Sequence, residues 1–479
     1  MTGNSSPDRT TRAARLDALV QEGLSAHQAG KLEEAEAAYR KVLEADPGHA
    51  DANHFLGVIA FQTGKPKESL KLITKAIGIN SEKALYHCNL GNTLQKLGRP
   101  DEAIDSHQKA LSLSPNLSES HNTLGFLLKE QGRLEVAVAC FDKALAINPD
   151  YAEAHSNRGI VLRKLGANED AAESYRKALA VNPDYAEAHN NLGSTLRELG
   201  KFDEAVASYQ KAVAIKPDFA EAHSNLGNTL RKLGQLDEAV ASYRRALDID
   251  PGRHDLRHLI SSISGETTDM APEKYIRELF DDYAGKFDEH LTNTLSYEIP
   301  SLMRLAVDSL PDGPKTFPRA LDLGCGTGLV AENFQDMAGE IDGVDLSPKM
   351  LEQAEAKGVY ANLHLADVLE FLEGPNVRPA GYDLILSADT FIYIGKLNGI
   401  FAAARRALTD SGLFVFSVEH LEDGDFKLLP SSRYSQSDAY IEKLAAESGF
   451  AVVCHDPVVV RVEKEVPIPG RIFVLRAAV

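Results

Sequence analysis

Glycine stands at alternate positions in Gly324-Cys325-Gly326-Thr327-Gly328, directly after the apolar run Ala320-Leu321-Asp322-Leu323. Residues without a Cβ let the backbone turn sharply and press against a ligand. Seventeen residues beyond Gly328, a second apolar run, Gly343-Val344-Asp345-Leu346-Ser347, carries an acid at its end. An acid there can accept hydrogen bonds from both ribose hydroxyls of an adenosine. Together these residues describe a nucleotide-type cofactor site. The spacing is GxGxG, whereas the dinucleotide fingerprint needs glycine at 329, where Leu329 stands. Pyrophosphate binding is therefore disfavoured.

The elements that must position this chemistry follow in an α/β order. Ser347 and Pro348 suit the N-cap and first turn of a helix over 347–357, with Met350, Leu351 and Ala354 spaced to face a sheet. A strand over 362–366 ends in Asp367-Val368, and the apolar run 382–387 reads as a strand buried on both faces, opening at Ala388-Asp389-Thr390. A helix over 397–408, a turn at 410–412 and a strand over 413–418 follow, ending at Glu419-His420. A helix over 438–448 and strands at 451–454 with 458–462, and at 471–476, make a seven-stranded sheet with a final antiparallel hairpin.

In order and motif this half resembles the class I S-adenosylmethionine-dependent methyltransferases, which have a Rossmann-like α/β fold. The resemblance implies a cofactor site of Asp322, Gly324, Cys325, Gly326, Gly328, Asp345, Leu346, Met350, Asp367, Val368 and Ala388. Asp345 would hold the ribose, Asp367 the adenine amino group, and the amide of Val368 a ring nitrogen. Upstream, Phe280, Asp281, Tyr283, Ala284, Phe287, Asp288, His290 and Leu291 form an FDxYAxxFDxHL segment, followed by Tyr297. Tyr283 and Phe287 are four apart and share a helical face. The segment is either an amphipathic cover for the sheet edge or a lid whose aromatic face, Tyr283 included, closes over the cofactor.

Methyl transfer from a sulfonium is a direct displacement, so alignment and exclusion of water matter most, and a base is needed only if the acceptor must lose a proton. Asp389, Tyr393 and Glu419 sit on loops facing the acceptor's expected place. His420 is the candidate base; the alternative is that it only packs or hydrogen-bonds.

The first half has a different logic. A 34-residue period runs from Leu16 to Arg253, with glycine at 23, 57, 91, 125, 159, 193 and 227 and proline closing six of seven units. This is the tetratricopeptide pattern, which predicts an α-solenoid of seven repeats with a long concave groove. His87, His121, His155, His189 and His223 recur at one position, but ligands one repeat apart cannot converge on one ion, and no metal site is expected. Asn89, Asn157, Asn191 and Asn225 form a second column, resembling the asparagine ladder of the O-linked N-acetylglucosamine transferases. That resemblance implies a groove that clamps the main chain of a protein or peptide partner; the alternative is a set of inter-repeat caps.

The expected division is a flexible tail over 1–15, repeats over 16–253, a capping helix and linker over 254–272, a helical lid over 273–305 and a methyltransferase core over 306–479. Net charge is −19, of which residues 271–479 carry −14. That is a poor match for nucleic acid, whose binding rests on basic patches. The signature of amino-methylating DNA enzymes is also missing at Ser387-Ala388-Asp389-Thr390. Cys88, Cys140, Cys325 and Cys454 lack paired spacing and read as reduced thiols. With no signal-peptide core and no run of transmembrane length, a cytoplasmic protein without membrane insertion is expected. The whole resembles bacterial proteins in which tetratricopeptide repeats precede a methyltransferase domain. The rival reading is an interaction scaffold whose methyltransferase fold no longer catalyses.

Overall fold

The computed structural model describes residues 7–294, 297–311, 314–375, 377, 380–463 and 465–478. They fall into two compact units, Met1–Leu233 and Gly234–Val479.

The first unit is an α-solenoid of tetratricopeptide helix pairs, such as Ser118–Glu130 with Leu134–Ile147 and Ala152–Lys164 with Asn168–Val181. Its opening helix, Pro7–Gln28, makes residues 7–15 helical instead of a flexible tail; residues 1–6 lie outside the described residues. Glycines 23, 57, 91, 125, 159 and 193 of the column each make room for a large side chain on the second helix of their own pair. A Cβ added at Gly125, Gly159 or Gly193 would stand 2.8 Å from the ring of Phe141, Tyr175 or Tyr209. Those rings are wholly buried, and burying one such side chain is worth roughly 1.5–3 kcal/mol. The alanines at 137, 171 and 205 are buried beside them. The histidine column ties each repeat to the turn before it: His121 Nε2 pairs with Pro115 O at 3.0 Å, His155 with Pro149 O at 2.8 Å and His189 with Pro183 O at 3.0 Å.

The second unit begins with the helices Leu236–Ile249 and His254–Ser264. The stretch read as a linker is bonded to the α/β fold of this unit. Asp269 O accepts from Gly395 N and Lys396 N at 2.9 Å, Ala271 N donates to Tyr393 O at 3.0 Å, and Met270 bridges Ile394. Ala271 is wholly buried.

Nine strands form one mixed sheet among the described residues: β1 (Phe317–Leu323), β2 (Ala338–Asp345), β3 (Asn362–Leu365), β4 (Tyr382–Ser387), β5 (Leu408–Leu421), β6 (Phe426–Leu428), β7 (Tyr434–Ser437), β8 (Phe450–Glu463) and β9 (Val466–Ala477). The order is β3-β2-β1-β4-β5-β7-β6, with β9 antiparallel to both β5 and β8. The sequence reading of seven strands omits β6 and β7. β6 is only three residues long, and most of β7 is buried polar chain: Ser435, Gln436 and Ser437 are nearly inaccessible. Gln436 Nε2 donates to Phe391 O at 3.0 Å and Ile394 O at 2.8 Å, which makes that burial tolerable. The turn expected at 410–412 lies inside β5, where the register with β4 shifts between Tyr382 and Leu384. Apolar cores fill both faces, one around Phe414 and Phe416, the other around Leu413 and Val415. No described helix is long and apolar enough to cross a membrane.

Candidate functional site

The glycine loop leaves β1 with all three glycines at positive φ: 70° at Gly324, 53° at Gly326 and 96° at Gly328. Such angles favour glycine, but the three positions differ in what surrounds them. A Cβ on Gly324 would fall 2.1 Å from Thr390 Oγ1, so that residue is glycine for packing against the loop after β4. A Cβ on Gly326 would meet nothing nearer than Phe287 Cε1 at 3.8 Å, leaving an open cradle. Gly324 N and Cys325 N both donate to Val344 O, at 2.8 and 2.9 Å. The Cys325 thiol is buried, and burial pushes its pKa well up, the behaviour of an inert thiol.

Asp345, at the end of β2, ties the loop together: Oδ2 accepts from Gly326 N and Oδ1 from Ser347 N, both at 2.8 Å. Burial raises its pKa against the pull of those bonds. Asp322 is wholly buried; it accepts from Tyr360 OH at 2.7 Å through Oδ2, while Oδ1 has no partner among the described residues. Burial pushes its pKa up to about 7. Tyr360 is a site residue that the sequence reading missed, since nothing in its local pattern points to a carboxylate 38 positions away. Met350 and Val368 are buried, and Ala388 packs against the core. Leu346 O accepts from Arg277 Nε at 3.3 Å. Asp367 caps the helix Val368–Glu373, its Oδ1 accepting from Leu369 N at 2.8 Å and Glu370 N at 3.1 Å.

The helices Glu273–Tyr283 and Phe287–Thr294 lie against these loops. Ser347 Oγ donates to Asp281 at 2.5 Å, Thr327 Oγ1 donates to Asp288, and Lys357 Nζ is 2.9 Å from Asp288. Tyr283 and Phe287 meet edge-to-face with ring centroids 5.2 Å apart, and Phe280 meets Tyr393 at 5.4 Å. The side chain of His290 lies outside the described residues. Tyr297 is driven far up in pKa by burial, reinforced by the charges of Asp389 and Asp322.

Beyond β4 and β5 lies a network of charges. Asp389 N donates to Ser417 Oγ at 2.9 Å, and that hydroxyl donates back to Asp389 Oδ1 at 3.0 Å. Glu419 pairs with Arg461, itself 3% exposed, whose Nε also donates to Glu463 at 2.6 Å; Arg433 pairs with the same Glu463. The charge of Arg433 also acts on the buried Tyr393, opposing the rise that burial causes in its pKa. None of the arginines or Glu463 was singled out from the sequence; each lies on β8 or the β6–β7 turn, far along the chain. A pocket of about 320 Å³ opens here, lined in part by Glu419, Arg461, Glu463, Leu429 and Ile468.

His420 lines the same pocket as Glu419, Arg461 and Glu463. Its Nδ1 sits 3.3 Å from Asp438 Oδ1, in a geometry too poor for a hydrogen bond. Arg471 holds the other Asp438 oxygen at 3.1 Å.

In the solenoid, three of the four column asparagines bond the repeat before them. Asn89 Nδ2 is 2.8 Å from His54 Nε2, Asn157 Nδ2 donates to Asn122 Oδ1 at 3.2 Å, and Asn225 Nδ2 to Asn190 Oδ1 at 3.1 Å. The side chain of Asn191 makes no hydrogen bond among the described residues, and it is half-buried.

Family models match both parts of the chain. Models described as TPR repeat and tetratricopeptide repeat match residues 127–233, 84–117, 220–253 and 20–84, and one described as methyltransferase domain matches 320–412. The catalytic unit is similar to the malonyl-[acyl-carrier protein] O-methyltransferase of Geobacter sulfurreducens, 37% identical over 116 residues, or 24% of this chain and 42% of that protein. It is also 43% identical over 90 residues to human methyltransferase-like protein 27, covering 18% of this chain and 35% of that one. The chain thus spans less than half the length of either relative. Among solved structures, the repeats are similar to YrrB, described as a TPR protein with an unusual peptide-binding site: 26% identity, 39% of this chain, 96% of that chain and a TM-score of 0.35. The chain joins tetratricopeptide repeats to a methyltransferase domain.

Proposed function

We propose that the protein transfers a methyl group from S-adenosylmethionine to an acceptor that the repeats recruit as, or through, a protein or peptide. The observation that carries this reading is the cradle over Gly326, open where a Cβ would point, together with a buried Asp322 oxygen on the preceding strand that has no partner among the described residues. A buried acceptor atom without a donor is costly, and a ligand hydrogen bond would relieve it. When bound, the donor supplies a methyl group on a positively charged sulfur, already a good leaving group.

The chain's own residues bind, orient and exclude water. Both Asp345 oxygens are committed to backbone amides, yet each carboxylate oxygen can accept a second bond, which suits ribose hydroxyls. Asp367 has an oxygen beyond the one used in capping, suited to the adenine amino group. Glycines 324 and 328, Cys325, Leu346, Met350, Val368 and Ala388 shape the walls. Tyr283, Phe280 and Phe287 cover the cradle and shed water from it. The excess of acids argues for an acceptor other than nucleic acid, and unpaired cysteines fit action in the cytoplasm.

Calorimetric titration of the full chain tests this. Binding of both S-adenosylmethionine and S-adenosylhomocysteine is expected, with loss of binding in Gly326→Val, whose side chain fills the cradle. No heat with either ligand from a folded sample overturns the reading.

A further inference from the structure

The loop after β4 holds a carboxylate whose setting exceeds what acceptor contact alone requires. Asp389 adopts a φ of 52°, a left-handed backbone uncommon outside glycine and found where strain serves a site. Ser417 fixes it from both sides, as acceptor for its amide and donor to Oδ1. Among the described residues Oδ2 takes no hydrogen bond; it stands 3.8 Å from Arg461 Nη1. Thr390, the next residue, packs on Gly324, so Asp389 flanks the glycine loop. Ser417 and Glu419, two apart on β5, share one face of that strand.

We propose that Asp389 is the catalytic base, and that the acceptor is therefore a neutral hydroxyl or amine carrying a proton to lose. The inference rests on the donor reading above. In the step, the acceptor lone pair forms a bond to the methyl carbon and the carbon–sulfur pair returns to sulfur. The acceptor's proton passes to Asp389 Oδ2.

The local charges favour such an acceptor. Arg461 is already held by Glu419 and Glu463, and Arg433 by Glu463. With both cations engaged and Asp389 in addition, an anionic acceptor would meet uncompensated negative charge. Burial, opposed first by Arg461, pushes the Asp389 pKa up to about 6, close to working pH, where a carboxylate base is effective. The groups acting on it are Arg461, Ser417, Glu419 and Arg433.

The test compares S-adenosylmethionine with S-adenosylhomocysteine on the full chain by calorimetry from pH 5 to 8. Only the first has a charged sulfur, so ionised Asp389 favours it alone. The affinity ratio should rise through about pH 6 by roughly three- to tenfold, the size of a half- to one-unit pKa shift. That component should vanish in Asp389→Asn, leaving any rise near pH 7 to Asp322. A ratio flat near pH 6 in the wild type, or a rise there that Asp389→Asn retains, overturns the proposal and leaves the donor reading intact, because both ligands still bind. Failure of a folded chain to bind either ligand overturns both. On the cell-extract fraction that the wild type labels from methyl-labelled donor, Asp389→Asn should lose roughly 10²–10⁴-fold in turnover, with affinity for S-adenosylhomocysteine unchanged. Wild-type turnover there would also overturn it.

Discussion

The solenoid and the catalytic unit solve the same problem, satisfying buried polar groups, at different ranges along the chain. His121, His155 and His189 each pair with a carbonyl six residues back, so one sequence unit states the contact and repetition copies it. In the catalytic unit, Asp322 depends on Tyr360, Asp389 on Ser417 and Glu419 on Arg461, separations of 38, 28 and 42 residues. No local pattern announces such partners. Local rules therefore make the solenoid readable and tolerant, while the site stands on single contacts that nothing duplicates.

Glycine offers the sharpest way to break that contrast, and the largest expected effect. Gly324→Ala would push a Cβ within 2.1 Å of Thr390 Oγ1 at a φ of 70°, and overpacking with backbone strain costs on the order of 3 kcal/mol or more. Unfolding of the catalytic unit should shift markedly in a denaturant titration. Gly159→Ala, against the Tyr175 ring, should cost about 1–3 kcal/mol in the solenoid with donor affinity untouched. Equal losses at both positions would show that the loop after β4 yields more than its packing implies.

The two units should also answer pH with opposite signs. Burial raises Asp322 to about 7 and Asp389 to about 6. Acids raised on folding stabilise while protonated, a contribution complete below about pH 4 and lost as pH climbs through 6 and 7. In the solenoid, burial lowers His54 and His107 to about 4. A lowered histidine stabilises above its ordinary value of 6.5, and that contribution is lost as pH falls through 4. Conversion gives up to roughly 4 kcal/mol for Asp322 and roughly 3 for each histidine. Differential scanning calorimetry of the full chain from pH 4 to 8 should resolve two transitions whose order changes with pH. Asp322→Asn should flatten the pH dependence of the methyltransferase-domain transition between about pH 4 and 7; parallel movement of both transitions would contradict the assignment.

How much of this was legible in the sequence follows the same division. The repeats and the parallel strands β1 to β4 announce themselves through spacing and apolar runs, as do the glycine loop and Asp345. What stayed hidden is what long-range contacts create. After Tyr434, strand β7 is polar, and buried Gln436 donates to the carbonyls of Phe391 and Ile394. Residues 265–272 look like a linker by composition, yet backbone bonds to the loop at 393–396 fix them. His420 lines the pocket with Glu419 and Arg461, as its place at the end of β5 leads one to expect, while its neighbour Asp438, 3.3 Å away, is announced by no local pattern.

The smallest expected effects lie in the asparagine column, where one residue separates the two readings of the groove. Asn157 spends its amide on Asn122, so Asn157→Ala should cost about 0.5–1.5 kcal/mol of solenoid stability, the net worth of such a bond. Asn191 spends nothing on its neighbours among the described residues, and Asn191→Ala should leave stability within about 0.5 kcal/mol, as for substitutions away from structural features. If the column clamps an extended main chain, Asn191→Ala should nevertheless weaken capture of the partner that the intact chain binds, because a lost peptide contact costs the complex and not the fold. Thermal melts of the two variants, set beside their affinity for that partner, separate the roles. A variant at 191 with unchanged affinity, beside one at 157 that merely melts earlier, would make the column a set of inter-repeat braces and move partner recognition to other residues of the concave face.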